Sequence, residues 1–238
     1  KILEQNGARG LNASTGPDST QYFYSLPSNR IELWALIESG RMRNPILRQF
    51  YKEKEAIKEE RRLRVDSSPR GLQFLTLMST AFKAHPYSWP TIGWSEDIAE
   101  VSRSEVEAFF RKHYAPNRAV ATVVGDVKPD ELIALMERYF GSIPRQPEPR
   151  PVVTHEPEQT GERRTVLSLP SNPSPSVLIG YHRPALGHPD FYVLDVITGI
   201  LGQGRTSRLT QSLYFRQRLG QAMCGNQDTR FPGLFVFS

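Results

Sequence analysis

The stretch Phe50-Tyr51-Lys52-Glu53-Lys54-Glu55-Ala56-Ile57-Lys58-Glu59-Glu60-Arg61-Arg62-Leu63 decides how the rest of the chain is read. At helical period, Leu47, Phe50, Ala56, Ile57 and Leu63 fall on one face, and Glu53 and Glu60, two turns apart, fall on that same face. Such a stripe predicts a core-facing side, with Lys54, Lys58, Glu59 and Arg62 turned to water. A carboxylate on a core-facing stripe must meet a cation, a metal or hydrogen-bond donors. A salt-bridged helix whose Glu53 and Glu60 pair with arginines from elsewhere meets that demand, and so does a metal site.

Upstream, residues 1–6 read as a helix ended by Gly7. Residues 11–15 and 20–26 read as two strands joined by the turn Gly16-Pro17-Asp18-Ser19. Ser28 is placed to cap a helix carrying Ile31, Leu33, Trp34, Leu36 and Ile37 and ending near Gly40. Downstream, Leu72, Leu75, Leu77, Met78 and Phe82 mark a packed helix after Pro69. The loop His85-Pro86-Tyr87-Ser88-Trp89-Pro90-Thr91-Ile92-Gly93 follows, with His85 read as a loop anchor and not a ligand. Ser102-Arg103-Ser104-Glu105 is a capping box that opens a helix with Val106, Phe109 and Phe110 inside, ended by Ala115-Pro116-Asn117. Residues 119–124 read as an apolar strand stopped by Gly125-Asp126. Leu132 to Phe140 mark a helix ended by Gly141.

Pro144, Pro147, Pro149, Pro151 and Pro157 give residues 144–162 the composition of a semi-rigid linker. The expected division is therefore a first domain over 1–143, the linker over 144–162 and a second domain over 163–238. In the second, strands are expected at 164–169 and 177–181, separated by Pro170-Ser171-Asn172-Pro173-Ser174-Pro175. Helices are expected at 190–201 and 207–219, and further strands after Gly220.

Three segments carry a resemblance. Asn12-Ala13-Ser14-Thr15 with Asp18, Thr20 and Tyr22, the pair Glu53 and Glu60 around Ala56-Ile57, and the His85-Pro86-Tyr87 loop together resemble the pitrilysin and mitochondrial processing peptidase family of zinc peptidases, the inverzincins. The resemblance implies an α+β fold of two related domains, each an antiparallel-rich sheet with helices packed on one face, the second truncated at Ser238. It implies that Glu60 is a zinc ligand and Glu53 its supporting carboxylate. The strand Asn12, Ala13, Ser14 and Thr15 would be an exposed edge to which an extended peptide substrate adds. It also implies work in pairs, with a second family subunit or a second copy.

Two departures accompany it. The His-x-x-Glu-His motif that supplies the other two ligands and the general base is absent: His85, His113, His155, His182 and His188 lack Glu-His at the required offsets. The expectation is that it lies upstream of Lys1, so that these residues alone are inactive and hold no zinc. The Arg and Tyr seven residues apart that mark a partner subunit are also missing, Tyr214 and Gln221 standing there. This favours a zinc-bearing peptidase chain over a noncatalytic peptide-binding or assembly subunit.

Composition narrows the classes. The 238 residues carry 30 basic and 25 acidic side chains, a net charge of +5 scattered along the chain, with no basic block interleaved with aromatics to suggest nucleic acid. No apolar run approaches the roughly 20 residues that span a bilayer, and the resemblance implies a soluble protein of bacterial periplasm or cytoplasm. The glycine stretch Gly199-Ile200-Leu201-Gly202-Gln203-Gly204 lacks the Gly-Lys-Ser/Thr ending of a phosphate loop. Cys224, the single cysteine, excludes an internal disulfide and reads as buried.

Overall fold

A computed structural model describes residues 1–169 and 174–238. In chain order the elements are α1 (Ile2–Gln5), β1 (Arg9–Thr15), β2 (Thr20–Ser25), α2 (Ile31–Arg43), α3 (Phe50–Arg61), α4 (Pro69–Ala81), α5 (Ser95–Glu100), α6 (Arg103–His113), α7 (Pro129–Phe140), β3 (Ile179–Arg183), α8 (Pro189–Gly202), β4 (Cys224–Asn226) and β5 (Gly233–Phe237). The fold is α+β, with helices and two small antiparallel sheets. The chain divides into two compact units, one of residues 1–15, 20–56 and 95–152, the other of residues 16–19, 57–94 and 153–238. The division runs through α3 after Ala56, and it assigns 144–152 to the first unit and 153–162 to the second.

The first unit starts from a helix stopped where Gly7 takes φ +87°, a left-handed conformation that glycine adopts without a Cβ penalty. The β1–β2 hairpin pairs Asn12 with Phe23, Ala13 with Tyr22, Ser14 with Gln21 and Thr15 with Thr20. A bulge between Arg9 and Asn12 contains Gly10 at φ +63°. α2 packs on α7 through Trp34 and Phe140, whose ring centroids lie 5.9 Å apart. Tyr139 donates to Glu32 at 2.8 Å across the same pair. Ser102 and Glu105 form the full capping box that opens α6.

In the second unit β5 is the central strand of the order β3-β5-β4, both pairings antiparallel. Ser68 caps α4 by accepting from the Gly71 amide at 3.1 Å, with Pro69 in the first turn where its missing N–H costs nothing. The core is Ala81, Phe82, Tyr87 and Leu234, flanked by Leu77, Met78, Phe231 and Val236. Phe191 of α8 is fully buried beneath the Arg183 guanidinium, 4.8 Å from its ring. Cys224 is buried, and burial raises its thiol pKa.

Five expectations fail. Residues 119–124 and 164–169 lie outside any strand. Apolar β-prone residues make a strand only where a neighbour offers a ladder, and Val120, Val124 and Val166 are 93%, 92% and 84% exposed. Ser28 does not cap α2: it sits within a 3-10 turn, Ser28–Arg30, and its hydroxyl reaches Asp126 at 3.4 Å. α2 also runs through Gly40 to Arg43, whose guanidinium is held by the Tyr139 carbonyl at 3.1 Å and the Ser142 hydroxyl at 3.0 Å. The expected helix over 207–219 is a π-helical segment, Thr210–Arg216, and α5 was not foreseen. The Pro170 to Pro175 turn lies largely outside the described residues.

Candidate functional site

The helix α3 covers a different side from the one its apolar stripe predicts. Its inward residues are basic: Arg61 is 6% exposed, and Lys54 is half-buried with its ammonium donating to the Val101 carbonyl at 3.1 Å. Arg61 pairs with Asp66 at 3.2 Å, donates to the Gly93 carbonyl, and stands 5.8 Å over the Trp94 ring. Leu47 and Phe50 are half-buried, whereas Ala56, Ile57 and Leu63 are exposed. An amphipathic pattern states which face can be buried, and burial requires an opposing surface. Toward its C-terminal end the apolar side chains of this face stand exposed.

Glu53 and Glu60 stand on that open face with Ile57 between them. The Glu53 carboxylate is exposed and has no hydrogen-bond or ion-pair partner among the described residues. Glu60 is held by Arg64, one turn on, at 3.0 Å. Exposed pairs at this spacing contribute about 0.3–0.5 kcal/mol, so a stronger partner displaces Arg64 at little cost. Glu59 points elsewhere and is engaged by Arg62 in two bonds of 2.8 and 2.6 Å. Those bonds hold its carboxyl below the usual range.

A catalytic zinc takes three protein ligands and leaves one position open. Among the described residues no group of three or more His, Cys, Asp and Glu side chains is placed to hold a metal. These residues do not by themselves fit a zinc ion, and Glu60 is suited to serve only as one donor of a larger set.

The strand β1 is exposed along its whole length. The Gly16 amide donates to the Ser19 carbonyl at 2.9 Å, which sets the parity of the hairpin. Asn12, Ser14 and Gly16 direct their main-chain groups at β2, while those of Ala13 and Thr15 point away, toward an edge without a partner strand among the described residues. The outward Ala13 amide is taken by the Asn12 side-chain oxygen at 2.8 Å. The outward Thr15 amide has no such cover among the described residues.

Two of the segments singled out in the sequence meet inside the second unit. The Tyr87 hydroxyl lies 2.8 Å from both carboxylate oxygens of Asp18, in the hairpin turn, and donates to that group. Asp18 also accepts from the Arg230 amide at 2.9 Å, and the Tyr87 oxygen accepts from the Phe231 amide at 3.1 Å. Burial and the Asp18 carboxylate push the Tyr87 hydroxyl up to about 12. His85 is 4% exposed, and its Nδ1 accepts from the Tyr87 amide at 3.2 Å, an anchoring role within the loop. Its Nε2 is buried without a partner among the described residues, between the rings of Phe82 and Phe231. Glu156, within the proline-rich stretch, accepts from the amides of Lys83, Ala84 and His85 at 2.8 to 3.0 Å. The pairing of Asp18 with Tyr87 and the part played by Glu156 were not read from the sequence, where the first two stand 69 residues apart.

The comparisons with known proteins fit this arrangement of segments. The model of the peptidase M16 inactive domain matches residues 100–238. The zinc protease PqqE of Helicobacter pylori is 32% identical over the whole of this chain and 54% of its own length. The chain belongs to the M16 peptidase family. A crystal structure of a protease from Helicobacter pylori superposes with a TM-score of 0.90 at 30% identity, covering 99% of this chain and 58% of that one. Subunit 1 of the bovine mitochondrial cytochrome b-c1 complex is 26% identical over 85% of this chain and 42% of its own length. The chain thus spans about half the length of the curated relatives it matches.

Proposed function

We propose that this M16 chain is part of a zinc-dependent endopeptidase that cleaves extended peptides. Glu60 supplies one carboxylate to the metal, and Glu53, on the same face, supports that site as a second carboxylate. The ion, when bound, activates a water for attack on the peptide carbonyl. The main-chain groups of β1 at Ala13 and Thr15 receive the substrate as an added strand, with Asn12 and Ser14 alongside. Main-chain pairing of this kind gives affinity with little demand on substrate sequence. The observation that carries this reading is the exposed part of the α3 face, where Glu53 and Glu60 flank the exposed Ile57 and, among the described residues, only an exposed Arg64 engages Glu60.

We further propose domains over 1–143 and 163–238 joined by 144–162, with a second family subunit or a second copy as partner and the bacterial periplasm or cytoplasm as location. No helix among the described residues is long and apolar enough to cross a membrane. A second reading, a noncatalytic peptide-binding or assembly subunit, is supported by the likeness to subunit 1 of the cytochrome b-c1 complex. The full-length gene product, assayed on a quenched extended peptide, separates the two. Cleavage abolished by a chelator and restored by zinc supports the peptidase, and peptide binding without cleavage at any zinc concentration supports the assembly subunit.

A further inference from the structure

We propose that Asp18 and Tyr87 form a latch that positions the substrate edge, an inference that rests on the reading of β1 given above. Thr15, whose outward amide is uncovered, is separated from the turn residue Asp18 only by Gly16 and Pro17. Hairpins built on two strands alone are marginally stable in water. All residues of β1 are exposed, as are all of β2 except the half-buried Tyr24; β2 is tied by Tyr22 to Tyr114 at 3.0 Å and by Tyr24 to Glu38 at 2.7 Å, while packing contributes little to holding β1 itself.

The turn, in contrast, is fastened. The Asp18 carboxylate receives the Tyr87 hydroxyl at 2.8 Å and the Arg230 amide at 2.9 Å. Tyr87 is itself only 7% exposed and is fixed by the Phe231 amide at its oxygen and by ring contacts with Phe82 and His85. Hydrogen bonds to a charged acceptor are among the stronger ones in proteins. A buried tyrosine that cannot swing away makes a rigid post for them. The latch therefore fixes the end of the strand whose neighbouring main-chain groups are offered to a peptide. Loosening it lets those groups sample misaligned positions, and pre-organisation of the docking edge is lost. Neither residue touches substrate, so both act as positioning residues.

The test uses the full-length gene product with an extended quenched peptide, comparing wild type, Asp18→Asn, Tyr87→Phe, the double variant and Thr15→Pro. Asp18→Asn keeps the shape and removes the charge. Tyr87→Phe keeps the ring and removes the donor. The latch predicts KM raised about five- to tenfold in each single variant, within the range that loss of one such bond allows. It also predicts kcat within about twofold of wild type and a double variant no worse than either single one, because both break the same link. A merely structural role would lower the folded fraction, reducing apparent kcat at constant KM, and that result overturns the latch. Thr15→Pro removes the outward amide and the 3.2 Å hydroxyl contact with Thr20 but leaves the main-chain bonds to β2, a position where proline is tolerated in edge strands. Raised KM in Thr15→Pro with unchanged KM in Asp18→Asn and Tyr87→Phe removes the latch and leaves the substrate edge standing. Unchanged KM in Thr15→Pro removes the substrate edge and, with it, the latch's function.

Discussion

His85 and Glu156 show how single side chains set the response of the second unit to acid. Burial lowers the His85 pKa below its ordinary value of 6.5, opposed in part by Asp18 and Glu156 and reinforced by His155. The folded chain therefore holds neutral imidazole where the unfolded chain binds a proton more readily, and stability is lost as pH falls below about 6.5. Burial alone would raise Glu156, but the amides of Lys83, Ala84 and His85, with Arg163 beside them, bring it below its ordinary 4.5. Its contribution is complete above about 4.5 and is lost at lower pH. His113, depressed by burial and by Arg118 and Lys112, acts in the same direction as His85. The midpoint of thermal unfolding is expected to be level between about pH 7 and 8, to fall from pH 6.5 to 5, and to fall again below 4.5. A midpoint that rises between pH 7 and pH 5 contradicts these assignments.

At the scale of elements, punctuation was legible except around α2, where Ser28 does not cap and Gly40 does not stop the helix, and partnership was not. The capping box of Ser102 and Glu105, the glycine stop after α1 and the turn between β1 and β2 are local chemistry, and each stands where the residues place it. A strand exists only with a neighbour, and residues 119–124 and 164–169 carry strand composition without one. The site divides in the same way. The sharing of one face by Glu53 and Glu60 follows from helical geometry, whereas the openness of that face depends on what packs against α3. Arg61 shows the limit, since its inward side chain answers to Asp66, Gly93 and Trp94, which no periodicity announces. Ile57 on the open face is 41% exposed and Phe82 in the core is 1% exposed. Ile57→Ala is therefore expected to change the stability of the chain by less than about 1 kcal/mol, and Phe82→Ala to cost about 3–5 kcal/mol. Urea unfolding of both variants checks this, and a large loss for Ile57→Ala would mean that the face is covered.

For the whole molecule, exposed apolar side chains gather where function is proposed. They include Ile57 and Leu63 near the two glutamates, Leu11 on β1, and Phe23 on β2, where it pairs with Asn12. The proposed function assigns Glu60, and beside it Glu53, to a metal site to which the described residues alone bring no group of three ligands. The zinc content of the full-length gene product and of two neighbouring variants tests this most directly. Glu60→Gln removes a carboxylate held, among the described residues, only by the exposed Arg64, whereas Glu59→Gln removes one that faces about 100° away on the helix and is engaged by Arg62. One zinc per chain is expected in wild type and in Glu59→Gln, with zinc largely lost in Glu60→Gln. Full zinc in Glu60→Gln, or its loss in Glu59→Gln, would contradict the assignment of Glu60 to the metal.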